Sequence, residues 1–195
     1  MKRLALVVGS AQCVWQDTAA LLAMATPDIV IAVNDMIHLW PGPIEHAASL
    51  HPDKLNGWLA ARAAKGLTMP RMVWSHRRCA PVTNVASEWR GSSGLLGIKV
   101  AIYEQGFAGA VAVGMPMNHD PHVNEQNPWP SGHAFRDGWT LQRAKLKPRV
   151  RSMSGWTREL LGAPTPEWLA QIGAAPPDSV LIALCKDASC QTIEA

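Results

Sequence analysis

Several groups of residues in this chain have the types and spacing for chemistry. Gly9-Ser10-Ala11-Gln12 follows an apolar run and precedes a helix-like stretch, the arrangement in which backbone N–H groups at a helix N-terminus receive a phosphate. A tight strand-to-helix turn that needs one glycine accounts for the same residues. Neither G-x-G-x-x-G nor the Walker G-x-x-x-x-G-K-S/T occurs, so an ordinary NAD site and a P-loop NTPase are not supported. Asn34 and Asp35 end a second apolar run, within reach of a ribose or base held at the first turn. Ser92-Ser93-Gly94 opens a later helix with a second set of N–H groups, and Gly114 closes the strand after it. Capping and turn formation also suit each of these residues without any ligand.

Histidines supply the other candidates. His119, Asp120 and His122 closely follow Gly114, and so close a set of imidazole and carboxylate groups invites a metal. The H-D-x-H spacing lacks the i, i+4 helical geometry of specific zinc motifs, so no metal is expected, and turn formation or substrate hydrogen bonding is the use assigned to them. His133, after Ser131-Gly132 at a helix start, suits proton transfer because an imidazole titrates near neutrality. An ordinary first-turn histidine fits that position equally. His119 or His51 is next in line for the base.

The elements that must position these groups are legible from periodicity. Leu4-Ala5-Leu6-Val7-Val8 and Ile29-Val30-Ile31-Ala32-Val33 are continuous apolar runs suited to strands buried on both faces of a parallel sheet, and residues 14–25 between them carry helical spacing. Together they make a βαβ unit. Further strands are expected at 47–50, 72–75, 110–113, 149–153 and 180–184, with helices at 54–65, from 95 to a cap at Gly106, and at 133–146. Thr165-Pro166 reads as an N-cap and first residue of another helix. Residues 79–90 have no period and read as loop or lid. The Pro-, Asn- and His-rich tract 115–132 is too long for a plain connection and is expected to be functional or mobile. The resulting fold class is α/β: a single Rossmann-like domain over 1–195, a mostly parallel sheet flanked by helices, with 155–195 as a C-terminal extension packed on it.

Composition narrows the function classes. A chain of 195 residues, 48% hydrophobic, can bury one continuous core. No apolar run reaches the roughly 18 residues of a membrane span, and the run after Lys2-Arg3 is broken by Gly9, Ser10 and Gln12. A cytoplasmic protein without membrane association is expected, with the scattered Cys13, Cys79, Cys185 and Cys190 as reduced thiols. The net charge of +3 does not demand nucleic acid. Arg143, Lys145, Lys147, Arg149 and Arg151 alternate, and in a strand they would share one face, which meets phosphate or protects a solvated edge. The nine tryptophans are dispersed, which suits core and pocket walls better than a stacking platform.

Val7-Val8-Gly9-Ser10 before a helix, Ile31-Ala32-Val33-Asn34 closing a strand, and Ser93-Gly94 through Gly106 to Ala112-Val113-Gly114 occur in an order that resembles bacterial CMP-sialic-acid-dependent sialyltransferases and the related motility-associated glycosyltransferase-like proteins. The resemblance covers residues 4–120 in outline. It implies a Rossmann-like fold that binds a cytidine nucleotide sugar without a metal, with a histidine as general base. Gly9, Ser10 and Asn34 match nucleotide-contacting positions, Ser93-Gly94 the helix opening, and His133 the region of the base. The family's G-x-G-P-S turn stands here as Gly9-Ser10-Ala11-Gln12, and Gly114-Met115-Pro116 replaces its Gly-x-Asp unless Asp120 takes that part. The expected function is a nucleotide-binding transferase that moves a sugar or similar group from an activated nucleotide. The alternative is a non-catalytic Rossmann-like protein that binds or senses a nucleotide or related ligand. In either case the ligand is a nucleotide or nucleotide sugar, and nucleic acid enters only through the basic stretch 143–151.

Overall fold

The computed structural model describes residues 3–86, 89, 91–123 and 125–178; the expected strand at 180–184, Cys185 and Cys190 lie outside them. Among the described residues, seven parallel strands form one sheet: β1 (Leu4–Val8), β2 (Ile29–Val33), β3 (His46–Ala48), β4 (Met72–Ser75), β5 (Asn84–Val85), β6 (Gly109–Val113) and β7 (Val150–Ser152). Their spatial order is β5-β4-β3-β2-β1-β6-β7. The chain therefore builds outward from β1 to β5, returns across the sheet, and adds β6 and β7 on the other side of β1. That reversal makes the β1–β6 boundary a topological switch point, the place where open α/β sheets bind ligands. The fold is α/β and Rossmann-like, as the apolar runs predict.

The flanking helices are α1 (Val14–Leu22), α2 (Met36–Leu39), α3 (Pro52–Ala64), α4 (Ser93–Lys99), α5 (Arg136–Leu146), α6 (Gly155–Leu161) and α7 (Pro166–Gln171). The period-2 geometry of a strand sends alternate residues of β1 into opposite core layers. Leu4, Leu6 and Val8 pack with Val14, Leu21, Met36 and Ile37 on one face. Ala5 and Val7 pack with Leu95, Ile98 and Trp139 on the other. All five β1 side chains are fully buried, which explains a continuous apolar run in place of alternation. The segment after β7 covers the same sheet: Gly162 accepts from the Ser152 amide, and residues 26 and 175 form an antiparallel bridge. Thr165 caps α7 as predicted, its hydroxyl accepting from Trp168 N at 3.2 Å.

Several expectations are corrected. The basic stretch is not one strand face: α5 continues to Leu146 because Trp139 and Leu146 bury at helical spacing, so Arg143 and Lys145 ride on a helix and Lys147 follows it. Arg149 turns inward to the carbonyls of Ile102, Phe107 and Ala108. Arg151 lies over the Trp168 ring at 4.8 Å. The helix expected at 133–146 opens as a 3-10 turn, Gly132–Phe135, and the helix after Ser92 runs through a π-turn, Val100–Glu104, before Gly106 at φ +71°. Helices α2 and α6 and the short strand β5 arise where the sequence has no clear period. Among the described residues, no helix is long and apolar enough to cross a membrane.

Candidate functional site

A cavity of about 160 Å³ opens at the carboxyl ends of β1, β2, β3 and β6, beside the start of α4. Of the residues singled out in the sequence, Gly9, Ser10, Asn34, His51, Ser92, Ser93, Gly94, Gly114, Asp120 and His122 line it. Parallel register brings these distant segments together, pairing Val8 with Ala32 on one side and with Val113 on the other.

Each exit loop is tied to its neighbour. Asn34 takes φ +53°, a conformation asparagine tolerates better than most residues, and its Oδ1 accepts from Ser49 Oγ at 2.8 Å. Ser49 Oγ in turn accepts from His51 N at 2.9 Å, and Ser93 Oγ from Leu50 N at 2.9 Å. Ser92 caps α4 by accepting from Leu95 N and also receives the indole N–H of the buried Trp139. The polar rim is therefore pre-organised by side chains bonded to one another.

The first turn does not present a vacant cradle of amides. Gly9 N donates to Val113 O, Ala11 N to Gly114 O and Gln12 N to Pro121 O. The tract expected to be functional or mobile folds back as a lid: Val123 N donates to Ser10 O, and Ala11 bridges His122. Met115 threads between the first turn and α4, so that a Cβ at Gly9 would fall 2.6 Å from its Cγ and one at Gly94 2.6 Å from its Sδ. The first-turn glycine thus serves close packing of β1 against β6. The N-terminal turn of α1 also holds its own carboxylate: Asp17, 6% exposed, accepts from Gly114 N at 3.0 Å and from Ser154 Oγ at 2.6 Å. Burial pushes Asp17 above the usual carboxylate range, against the lowering effect of Ser154, Gly114, Cys13 and Arg158. Burial, and then the charge of Asp17, push the Cys13 thiol up to about 12, which leaves it no thiolate character at neutral pH.

Four predicted residues lie elsewhere. Asp35 accepts from Trp58 Nε1 at 2.8 Å and so braces α3. Gln12 reaches the Glu125 carbonyl at 3.2 Å. His119 and His133 stack on each other, ring centroids 4.1 Å apart, on the exposed side of the lid and outside the cavity lining. Desolvation first, then the charges of Arg136 and His119, push the His133 imidazole below its ordinary value. Among the described residues, no cavity lies before it.

Of the histidines named in the sequence, His51 and His122 line the cavity, as does Asp120. Asn118, Trp129 and Phe135 line it as well and were not singled out. The Trp129 and Phe135 rings stack at 5.6 Å and 16°, and His122 sits 5.3 Å from Trp129. Arg136 holds the lid by donating to Met117 O and Asn118 Oδ1 while its guanidinium covers the Trp156 ring. Trp129 stands between two prolines in the tract already marked as functional, which is the one signal that pointed to it.

No family model, curated protein or solved structure matches this chain. Its site is therefore read from its own chemistry. The cavity wall combines methionine, leucine and valine side chains with an aromatic pair, two imidazoles, one carboxylate and a few amide and hydroxyl groups. That is the makeup of a small-molecule site, apolar with a few convergent polar groups. Among the described residues, neither Lys nor Arg lines it. Among the described residues, no cluster of three or more His, Cys, Asp or Glu is arranged to hold a metal ion.

Proposed function

We propose that this cavity binds a nucleoside-bearing ligand, and that the protein transfers a sugar or similar group from such an activated nucleotide, as the sialyltransferase-like resemblance implies. The observation that carries the reading is the position of the Trp129–Phe135 stack and of His51 and His122 in one cavity at the carboxyl edge of the sheet, beside the switch point. A base or sugar ring gains stacking area on the aromatic pair, and Asn34, Asn118 and Asp120 offer partners to ring nitrogens and hydroxyls. In the transfer, His51 or His122 takes the acceptor hydroxyl proton. The new C–O bond forms as the bond from the sugar carbon to the phosphate oxygen breaks, and that electron pair leaves with the phosphate.

A second reading, a binding protein that senses a nucleotide without turning it over, is favoured by the engaged first-turn amides and by the position of His133 outside the cavity. A thermal-shift panel of nucleosides, nucleotides and nucleotide sugars tests both, with chromatography of each stabilising compound after incubation with an acceptor mixture. Stabilisation with release of the free nucleotide supports transfer; stabilisation without turnover supports the sensor. No stabilisation by any member, or stabilisation unchanged in Trp129→Ala, overturns the cavity assignment.

A further inference from the structure

We infer that the ligand of this cavity is phosphorylated, and that its phosphate lies outside the cavity proper, on a basic rim where β3 and β4 end, held by Arg77 and Arg78. The inference deepens the nucleotide reading above and rests on it for the identity of the ring end.

The argument begins with where the anion cannot sit. Gly9, Ala11 and Gln12 spend their amides on Val113, Gly114 and Pro121, Met115 fills the gap between Gly9 and Gly94, and the first turn of α1 carries the buried Asp17 carboxylate. A phosphate there would meet the Asp17 carboxylate behind the turn and, of the four amides from Gly9 to Gln12, three that are already engaged. Among the described residues, the remaining wall has no cationic side chain beyond the imidazoles.

The rim next to it differs. β3 and β4 pair in parallel up to Ala48 opposite Trp74, so Ser49 and Ser75 are the next residues along the two segments. Two bonds hold the strand ends together: Ser49 N donates to Trp74 O at 3.1 Å and Ser75 Oγ to Ser49 O at 2.7 Å. His51, which lines the cavity, lies two residues past Ser49, and His76, Arg77 and Arg78 follow directly on Ser75, so both segments leave the same edge of the sheet. All three are exposed, and neither arginine pairs with a carboxylate among the described residues. The helix α3 also begins at this rim, with the positive end of its dipole there, and Asp53 in its first turn offsets part of that field. Across the cavity the lid contributes Asp120, with Glu125 beside His122. The unpaired arginines therefore stand at the β3–β4 end, while the lid end combines carboxylates with Arg136, which is bonded to Met117 O and Asn118 Oδ1. A ligand with a ring at one end and a phosphate at the other has one favourable orientation, ring under Trp129 and phosphate over the strand ends, where guanidinium groups match phosphate oxygens in bidentate geometry.

The test measures binding by calorimetry of inorganic pyrophosphate and of nucleosides with their 5′-mono- and diphosphates, at low and high salt. The proteins compared are wild type, the double variant Arg77→Ala/Arg78→Ala, and Trp129→Ala. The expected result is that wild type binds the nucleotide about tenfold or more tightly than its nucleoside, that high salt shrinks this advantage, and that the double variant loses it while its nucleoside affinity stays at the wild-type value. Trp129→Ala should lose the nucleoside and keep pyrophosphate. Equal affinity of wild type for nucleoside and nucleotide, or an advantage that survives in the double variant, overturns the rim. Pyrophosphate binding that the double variant loses, with no nucleoside binding at all, keeps the rim and overturns the nucleoside reading. Binding of neither overturns both.

Discussion

Gly9→Ala separates the two roles open to the first-turn glycine, space for a ligand phosphate or space for the protein itself. A Cβ at this position falls 2.6 Å from Met115 Cγ and 2.7 Å from the Gly114 carbonyl oxygen. Met115 is unbranched and can give way in part, but it is buried and already packed against Gly94. The carbonyl cannot retreat without weakening the Ala11 N to Gly114 O bond of 3.1 Å. Overpacking of this kind costs about 1–3 kcal/mol, and the strained hydrogen bond adds about 1 kcal/mol. The sum, about 2–4 kcal/mol, corresponds to a fall in Tm of roughly 5–15 °C for a chain of this size. Urea unfolding followed by tryptophan fluorescence, with no ligand present, measures it. In the double variant Gly9→Ala/Met115→Ala the clash with Met115 disappears and the clash with Gly114 O remains, so adding Gly9→Ala to Met115→Ala should cost less than adding it to wild type. A Gly9→Ala protein as stable as wild type that has lost ligand binding would refute this reasoning and restore the phosphate role of the turn.

Two further outcomes follow from buried polar groups. Arg62 is fully buried and donates to the carbonyls of Ile37, Trp40, Gly42 and Thr68, tying α2 and the loop after it to α3. Arg62→Met leaves those acceptors without a donor and should cost about 3–5 kcal/mol in urea unfolding, with Arg62→Lys recovering only part; a loss below about 1 kcal/mol would refute the clamp. Asp17 holds its proton to a higher pH in the native state than in the unfolded chain, chiefly through burial. Between those two values the native state binds more protons, so stability falls as pH rises from the ordinary carboxylate value of 3.8 toward neutrality. Asp17→Asn keeps an acceptor for Gly114 N and Ser154 Oγ and does not titrate. The Tm of wild type minus that of the variant should therefore decrease steadily from acid to neutral pH, and a difference that grows in the opposite direction would show that the native state favours the carboxylate.

The sequence alone determined the class of fold and the ends of its central strands. β1, β2 and β6 are buried on both faces, so each reads as an unbroken apolar run ending at a glycine or asparagine, and that signal is local. The Thr165 cap and the turn residues Gly9, Asn34, Ser93 and Gly114 were legible for the same reason. Helices α2 and α6 were not, because each is a single short stretch whose burial comes from neighbours distant in the chain. The five basic residues from Arg143 to Arg151 have an alternating pattern, but Trp139 and Leu146 bury on a helix and override it.

Tertiary structure alone decided what each site residue faces. Whether the amides after β1 are vacant depends on segments about a hundred residues later, the end of β6 taking those of Gly9 and Ala11 through Val113 and Gly114 and the lid taking that of Gln12 through Pro121. Whether a histidine meets the cavity depends on how that lid folds: His122 bridges the first turn and lines the cavity, while His119 and His133 stack outside it. Local periodicity reports the burial of an element, and it carries no information about which distant loop covers the end of that element. The strand order sets that, by bringing β6 and the lid that follows it beside β1.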